Sequence, residues 1–251
     1  APTLQIDGGQ LDFQTVNFGY NDDRQILHDL DFSVEAGKTL AIVGPSGSGK
    51  STIGRMLFRF YDVWDGAIRI DGQDIRRVQQ ASLREAIGIV PQDTVLFNDT
   101  IAYNIAYGRP EASLEDVIEA AKLAQIHDFI LDLPEGYDTR VGERGLKLSG
   151  GERQRVSIAR TILKDPSILL FDEATSALDT DTESAIQASL AAVSRDRTTL
   201  VIAHRLSTVV DADEIIVLDK GRIAERGSHQ ALLERDGVYA HMWHSQQEAD
   251  E

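Results

Sequence analysis

The sequence contains no cysteine and only six prolines among its 251 residues, and basic side chains are few. Without cysteine, the chain cannot form disulfide bonds, cysteine-ligated zinc sites or a catalytic thiolate. No apolar run approaches the roughly 18 residues that a membrane-spanning helix requires. Hydrophobic residues nevertheless make up 42% of the chain, which predicts a soluble globular protein with a sizeable core.

The charge of the chain is strongly one-sided. There are 41 acidic residues against 25 basic ones, which gives a formal net charge of −16. A surface of this sign repels the phosphate backbones of DNA and RNA. We therefore expect no nucleic-acid partner.

A glycine-rich segment, GPSGSGKS, occupies residues 44–51. It fits G-x-x-x-x-G-K-[ST], the phosphate-binding loop of nucleotide hydrolases, in which glycines let backbone amides turn toward a polyphosphate. An apolar run at 39–43 precedes it and a helical pattern follows, which a flexible glycine–serine linker, the alternative interpretation, would lack. We expect Lys50 to reach the β- and γ-phosphates and Ser51 to hold Mg²⁺. The predicted phosphate-binding residues are Gly44, Pro45, Ser46, Gly47, Ser48, Gly49, Lys50, Ser51 and Thr52.

Short apolar runs rich in β-branched residues alternate with helical patterns along the chain. Several runs are apolar throughout, which is typical of strands buried on both faces of a parallel sheet. The predicted strands are 39–43, 67–70, 87–90, 168–171, 198–203 and a hairpin of 214–218 with 222–226. Capping signals at Ser113, Ser149 and Thr180 predict three helices. Residues 93–164 are mostly helical, so we predict a helical lobe inserted into an α/β core.

The predicted strand 168–171 ends in two adjacent carboxylates, Asp172 and Glu173. Acidic residues after a strand commonly do no more than begin a loop. Downstream of a phosphate-binding loop, however, the same position is where nucleotide hydrolases bind Mg²⁺ and polarise the attacking water. We favour the second interpretation and assign Asp172 to Mg²⁺ and Glu173 to the water.

The segment LSGGE at 148–152 resembles the signature sequence of ATP-binding cassette (ABC) proteins, whose ATPases pair head to tail. The resemblance covers essentially the whole chain, and its further motifs occur in the order of the family. Tyr20 matches the aromatic residue that stacks on adenine, and Gln92 matches the glutamine that joins the core to the helical lobe. Asp179 matches the loop that crosses to the partner subunit, and His204 matches the switch histidine.

The signature segment also has a physical rationale. Ser149 caps a helix, and Gly150 and Gly151 leave the first amides of that helix uncovered, which makes an anion site. Because the loop at 44–51 already provides a phosphate site in the same subunit, we expect the second one to complete the nucleotide site of another copy. The alternative is an ordinary capped helix.

The resemblance implies an α/β fold that consists of a P-loop NTPase core with a mostly parallel sheet, an N-terminal antiparallel β part and an inserted α-helical lobe. It implies one nucleotide-binding domain over residues 1–251, with the core at 1–92 and 165–251 and the lobe at about 93–164. We expect this domain to belong to a longer chain with N-terminal transmembrane helices.

The resemblance also implies the roles of the site residues, with ATP and Mg²⁺ as the expected cofactors. The residues assigned to catalysis are Glu173, His204, Lys50 and Gln92. Those assigned to Mg²⁺ are Ser51, Gln92 and Asp172. The residues expected to contact ATP, besides the phosphate-binding loop, are Tyr20, Ser149, Gly150, Gly151, Glu152 and Asp179.

The chain also resembles exporters of the mitochondrial iron–sulfur and bacterial heavy-metal-tolerance group in three segments, at 96–101, 104–110 and 139–145. In the last of these, Glu143 occupies the position expected to contact the membrane domains. This implies an ATP-driven exporter whose partners are a second copy of the chain and transmembrane domains. We expect it in an inner membrane, with this domain on the cytoplasmic or matrix side. The alternatives are a lipid or multidrug exporter, and a soluble ABC ATPase acting on nucleic acid or ribosomes. The acidic charge argues against the last of these.

Overall fold

The computed structural model describes residues 1–143, 146–173 and 180–250. The strands in chain order are β1 (Leu11–Asn21), β2 (Arg24–Val34), β3 (Thr39–Val43), β4 (Asp65–Ile70), β5 (Gln73–Asp74), β6 (Ile87–Val90), β7 (Ile168–Asp172), β8 (Thr198–Ile202), β9 (Glu214–Asp219) and β10 (Arg222–Gly227). The helices are α1 (Lys50–Leu57), α2 (Gln80–Ala86), α3 (Ile101–Ala106), α4 (Leu114–Leu123), α5 (His127–Asp132), α6 (Gly150–Lys164), α7 (Thr180–Ser194), α8 (His229–Glu234) and α9 (Val238–Asp250).

The chain divides into two compact units. The first comprises Ala1–Ile87, Ser167–Glu173 and Asp196–Glu251, and the second comprises Gly88–Pro166 and Ala174–Arg195. No helix among the described residues is both long enough and apolar enough to cross a membrane.

The first unit contains an antiparallel sheet in the order β2-β1-β4-β5. Its apolar face is buried, and the rings of Phe13 and Phe32 stack there with centroids 4.5 Å apart. The residue pattern did not predict β1 and β2, because register shifts between β1 and β2, the first of them between Phe13 and Val16, break the strict alternation that marks a strand. The segment predicted at 67–70 is a strand, but it pairs antiparallel with β1 and takes no part in the parallel sheet.

The first unit also contributes five strands of a second sheet, in the order β10-β9-β3-β8-β7. β3 runs parallel to β8 and β9, and β7 runs parallel to β8, whereas β10 closes the predicted hairpin with β9. Both faces of β3 are buried: Leu40 and Ile42 belong to the large core, and Ala41 and Val43 pack in the cluster that contains Tyr239 of α9. The prediction of a mostly parallel sheet in an α/β fold is confirmed.

The second unit is mostly helical. The chain enters it within β6, and α4 opens with the predicted capping box of Ser113 and Asp116. The apolar face of α4, with Val117, Ala120 and Ala121, is buried. The predicted lobe of 93–164 falls inside this unit, which also includes α7. The assignment of residues 1–251 to one nucleotide-binding domain stays a prediction.

The turn between β9 and β10 supports the glycine-rich loop that joins β3 to α1. The Gly221 amide donates to the Ser48 carbonyl over 2.9 Å, and the His28 amide donates to the Gly221 carbonyl over 2.9 Å. Gly221 has φ +74°, and a Cβ added there would lie 1.8 Å from the Ile26 carbonyl oxygen. The turn therefore requires glycine for its backbone conformation and for its close approach to β2.

We predict that Gly221→Ala destabilises the protein far more than Gly72→Ala, the matched control in the turn between β4 and β5. Both residues have nearly the same φ, +74° and +76°, but no atom of the described chain lies within 4 Å of a Cβ at Gly72. Gly72→Ala should lower the free energy of unfolding by about 1–2 kcal/mol, the cost of the left-handed conformation. Gly221→Ala should lower it by at least about 2 kcal/mol more, because a backbone carbonyl must move.

Urea unfolding of the two variants and the unchanged chain measures the difference. Equal losses of stability in the two variants would show that the Ile26 carbonyl can move without loss of stability. They would contradict the claim that close approach to β2 requires glycine at this turn.

Candidate functional site

The loop between β3 and α1 has the form that an anion site requires. The Ser48 amide donates to the Pro45 carbonyl over 3.2 Å, and Gly49, at φ +107°, caps α1. The first amides of a helix have no partner within the helix, and the helix dipole places partial positive charge beside them. Pro45, Ser46 and Gly47 are exposed, so the loop presents its outer side to solvent. These features suit a phosphate group.

Lys50, the first residue of α1, lies at the end of this loop and is only 4% exposed. Its ammonium donates to the carbonyls of Gly44 (2.8 Å) and Pro45 (3.1 Å). Burial lowers the pKa of Lys50, while the carboxylates of Glu173 and Asp172 act in the opposite direction. A buried cation that hydrogen-bonds to neutral carbonyls can exchange those bonds for stronger ones to a charged oxygen. Lys50 is thus placed to bind an anion in the loop.

Two hydroxyls of the loop differ in their surroundings. The Ser48 hydroxyl is buried, and its oxygen has no hydrogen-bond partner among the described residues. Ser51, the second residue of α1, is exposed. A buried hydroxyl without a partner is costly unless a ligand satisfies it.

Tyr20, near the end of β1, lies beside α1. Its hydroxyl is 3.1 Å from the hydroxyl of Thr52 and accepts a hydrogen bond from Arg55 over 3.0 Å. Its ring makes edge contacts with Phe18 and Tyr61 and remains 38% exposed. The ring is therefore fixed in orientation and still accessible to a flat ligand next to the phosphate-binding loop.

Glu173 and His204 meet at the edge of the parallel sheet. Glu173 follows β7 and His204 follows β8, and because these strands are parallel neighbours their carboxyl ends lie side by side. The Glu173 amide donates to the Ile202 carbonyl over 2.8 Å, and the Glu173 carboxylate contacts Nε2 of His204. The Glu173 side chain is only 8% exposed, whereas that of His204 is 40% exposed.

Asp172, the last residue of β7, completes a group of charges around this edge. Burial raises the pKa of Asp172, and repulsion from the Glu173 carboxylate adds to this effect. Arg55, His204 and Lys50 oppose the rise because each is positive or can become so. The first unit therefore brings together Lys50, Asp172, Glu173 and His204, as the sequence predicted for a single site.

The second unit contains the signature segment at the start of α6. The predicted capping box is present: the Glu152 amide donates to the Ser149 hydroxyl over 3.2 Å, and the Ser149 amide donates to the Glu152 carboxylate over 2.7 Å. Gly150 is exposed and Gly151 is buried. The start of α6 is thus a capped helix N-terminus that remains accessible at Ser149 and Gly150.

Gln92 is exposed in the loop that follows β6. The side chain of Gln154, on α6, holds this loop by donating to the Pro91 carbonyl over 3.2 Å and by pairing with the Thr94 hydroxyl over 3.3 Å. Sequence reasoning missed Gln154, which is only 5% exposed. The available signal was its position, since it is a polar residue on the buried side of α6, one turn after Gly151.

Two predictions concern residues near or beyond the limits of the described chain. Asp179 lies outside the described residues. Glu143 is exposed, and the remainder of its segment at 144–145 also lies outside them.

The predicted metal ligands are side chains that would each provide an oxygen atom. Among the described residues, no group of three or more histidine and acidic side chains could hold a metal ion. Ser51 and Asp172 offer a hydroxyl and a carboxylate, and α1 packs on β7, with Leu170 Cδ2 3.1 Å from a Cβ position at Gly54. Oxygen donors of this kind suit Mg²⁺, which usually keeps several waters and binds to phosphate oxygens as well as to one or two carboxylates.

The chain resembles several known proteins. A sequence profile of the family described as ABC transporter matches residues 27–176. The chain is 66% identical, over 97% of its length, to the ATM1-type heavy metal exporter of Novosphingobium aromaticivorans, of which it covers 40%. It is 64% identical, over its whole length, to human ATP-binding cassette sub-family B member 6, of which it covers 30%. It is 57% identical, over 98% of its length, to the heavy metal tolerance protein of Schizosaccharomyces pombe, of which it covers 30%.

The fold is also similar to that of a solved structure, described as a bacterial Atm1-family ABC exporter with ATP bound. The TM-score is 0.93 and the identity is 65%, over 98% of this chain and 43% of that one. The chain therefore spans less than half the length of these relatives. The antiparallel N-terminal sheet and the parallel sheet predicted from the resemblance are confirmed. The profile match and the high identity over nearly the whole chain show that this protein belongs to the ABC transporter family.

Proposed function

We propose that this chain binds and hydrolyses ATP as the nucleotide-binding domain of an exporter. The observation that carries the proposal is the arrangement at one edge of the parallel sheet. There, Lys50 lies in a loop suited to phosphate, and a buried Glu173 contacts His204 on the neighbouring strand. In the same family, a relative of 65% identity is described as having ATP bound.

Binding begins with the phosphates. The loop amides and Lys50 neutralise the charge of the β- and γ-phosphates, and the bonds from Lys50 to Gly44 and Pro45 are exchanged for bonds to phosphate oxygens. The exposed ring of Tyr20 stacks on adenine. Ser51, Asp172 and Gln92 would hold Mg²⁺ through hydroxyl, carboxylate and amide oxygens. When bound, Mg²⁺ neutralises the charge that develops on the phosphates.

Hydrolysis transfers the γ-phosphoryl group from ATP to water, so the products are ADP, inorganic phosphate and the proton that the water gives up. The water oxygen forms a bond to the γ-phosphorus, and the bond from that phosphorus to the bridging oxygen breaks. Glu173 orients and polarises the water, and His204 holds the γ-phosphate and the water in line. Phosphoryl transfer depends mostly on positioning and electrostatic stabilisation, so the loss of a single positioning group has a large effect.

The start of α6 serves a second copy of the chain. Ser149 and Gly150 are accessible at a helix N-terminus, which favours an anion, and we assign them to the γ-phosphate bound by the partner. Two copies would then enclose two ATP molecules head to tail. Hydrolysis removes the group that joins the two copies, and they separate. Glu152, Gly151 and Asp179 belong to the same proposed contact.

The relatives are longer chains, and their names indicate what the whole protein does. Two of them are named a heavy metal exporter and a heavy metal tolerance protein, which favours this group over lipid or multidrug exporters. The proposed partners are therefore transmembrane domains, with exposed Glu143 contacting them. A soluble ABC ATPase acting on nucleic acid or ribosomes is the second candidate. The net charge of −16 argues against it, and stimulation of ATP hydrolysis by RNA or DNA would support it.

We predict that Glu173→Gln binds ATP with an affinity within about threefold of the unchanged chain but loses at least about 100-fold in kcat. The variant keeps the shape of the side chain and removes the charge that polarises the water. Glu85→Gln, the same change at an exposed position of α2, should leave kcat unaltered. Phosphate release and equilibrium binding of ATP measure the two effects. Near-normal turnover in Glu173→Gln would remove Glu173 from its assigned role.

We further predict that Glu173→Gln forms a dimer when Mg-ATP is added. Size exclusion with light scattering should show a mass near 27.6 kDa without nucleotide and about twice that value with it. Adding Ser149→Arg to this variant should prevent the shift while ATP binding is retained, because the bulky side chain blocks the partner's phosphate site. An ATP-bound monomer in the Glu173→Gln chain would contradict the composite site.

A further inference from the structure

The loop that carries His204 is held by a side chain from the C-terminal helix. The Gln246 amide nitrogen donates to the His204 carbonyl over 2.6 Å, and the Gln246 amide oxygen accepts a hydrogen bond from the Leu206 amide over 2.8 Å. One side chain therefore uses both of its polar ends on the backbone of residues 204–206. A primary amide is the side chain whose donor and acceptor match a carbonyl and an N–H presented together.

Other hydrogen bonds of this loop are local or come from the sheet. The Ala203 amide donates to the Ile42 carbonyl of β3 over 3.1 Å, which fixes the entry to the loop. The Thr208 hydroxyl donates to the Arg205 carbonyl over 2.7 Å, within the short turn that follows. Gln246 adds two hydrogen bonds from about forty residues downstream, on a helix that also packs against this loop through the cluster of Ala203, Leu206 and Tyr239.

The orientation of the His204 imidazole depends on the position of this backbone. With 40% of its side chain exposed, it is only partly held in place by surrounding atoms. It nevertheless contacts the buried carboxylate of Glu173. The Cα position therefore contributes to the direction of the ring, so a shift of the loop changes where Nε2 lies.

The helix that carries Gln246 is itself firmly anchored. The Glu225 carboxylate accepts hydrogen bonds from the amides of Val238 (2.8 Å) and Tyr239 (3.0 Å), at the start of α9. Tyr239 is fully buried, and its hydroxyl pairs with Nδ1 of His229 over 2.8 Å. Gln246 lies seven residues after Tyr239, two turns along the same face. The anchor at the start of α9 thus fixes the position of Gln246.

We propose that Gln246 is a positioning residue for His204, so that α9 sets the geometry of the catalytic histidine. The inference rests on the proposed function, because His204 acts on the γ-phosphate there. The hydrogen bonds of the Gln246 side chain go to the His204 carbonyl and the Leu206 amide, and neither goes to the nucleotide-binding loop or to Glu173. It acts through the backbone of residues 204–206.

The test compares Gln246→Leu with Gln247→Leu, the same change at the next residue, which is exposed. Gln246→Leu should lower kcat about tenfold and leave KM for ATP within about twofold, because positioning of the transition state is lost and binding of the ground state is not. Gln247→Leu should leave both unchanged. Gln246→Glu keeps the shape of the side chain but removes its hydrogen-bond donor, so its kinetics should resemble those of Gln246→Leu. It remains a usable test if the apolar variant fails to fold.

The same change on a His204→Ala background separates positioning from a general structural effect. If Gln246 acts through His204, Gln246→Leu should lower the residual kcat of His204→Ala by less than about twofold. A tenfold loss on both backgrounds would overturn the proposal, since the effect would then not pass through the histidine.

Nitrogen and carbon resonances of the His204 imidazole give a readout that needs no hydrolysis. They should shift in Gln246→Leu and Gln246→Glu and stay unchanged in Gln247→Leu. If the unchanged chain fails to hydrolyse ATP, the proposed function is wrong, and the resonances still test the contact. Unshifted resonances in both Gln246 variants would overturn the positioning role.

Discussion

The parallel pairing of β7, β8 and β3 brings three distant stretches of the chain to one edge of a sheet. β3 delivers the glycine-rich loop, β7 delivers Asp172 and Glu173, and β8 delivers His204. Because parallel strands end at the same edge, these groups meet without further adjustment. The apolar residues that bury both faces of β3 therefore also determine the chemistry, since a change in register would separate the charges. The core and the site depend on the same hydrogen-bonded ladder.

Positive and negative side chains lie close together at this edge of the parallel sheet. Burial lowers the pKa of Lys50 and raises that of Asp172, so each group is pushed toward its neutral form. Each is also a partner that favours the charged form of the other. A polyphosphate with its metal adds charges of both signs, so the site is suited to a ligand that carries a compensating cation. Within a strongly acidic chain, the Lys50 ammonium and the amides at the start of α1 provide positive charge at this one loop.

Features formed by neighbouring residues could be predicted from the sequence, whereas contacts between residues far apart in the chain could not. The loop, its flanking strand and helix, and the capping boxes at Ser113 and Ser149 are contiguous patterns, and each was predicted correctly. β1 and β2 were missed because their register shifts disturb the alternation of apolar residues. Gln154 and Gln246 were missed because the role of a polar side chain depends on which carbonyl it faces, which is decided by tertiary packing. In both cases the clue was a glutamine on the buried side of a helix.

The bond between Gly221 and the Ser48 carbonyl has a consequence for the order in which the protein takes shape during synthesis. The glycine-rich loop is made before the turn that supports it, which lies more than 170 residues further along the chain. The neighbours of β3 in the sheet, β8 and β9, are also made late. A nascent chain that ends before residue 214 thus contains every residue of the loop and lacks the strand and turn that give the loop its form. Such a chain also lacks α9, so the face of β3 that carries Ala41 and Val43 stays without its cover, Tyr239, until the last 38 residues, from 214 onward, have been made.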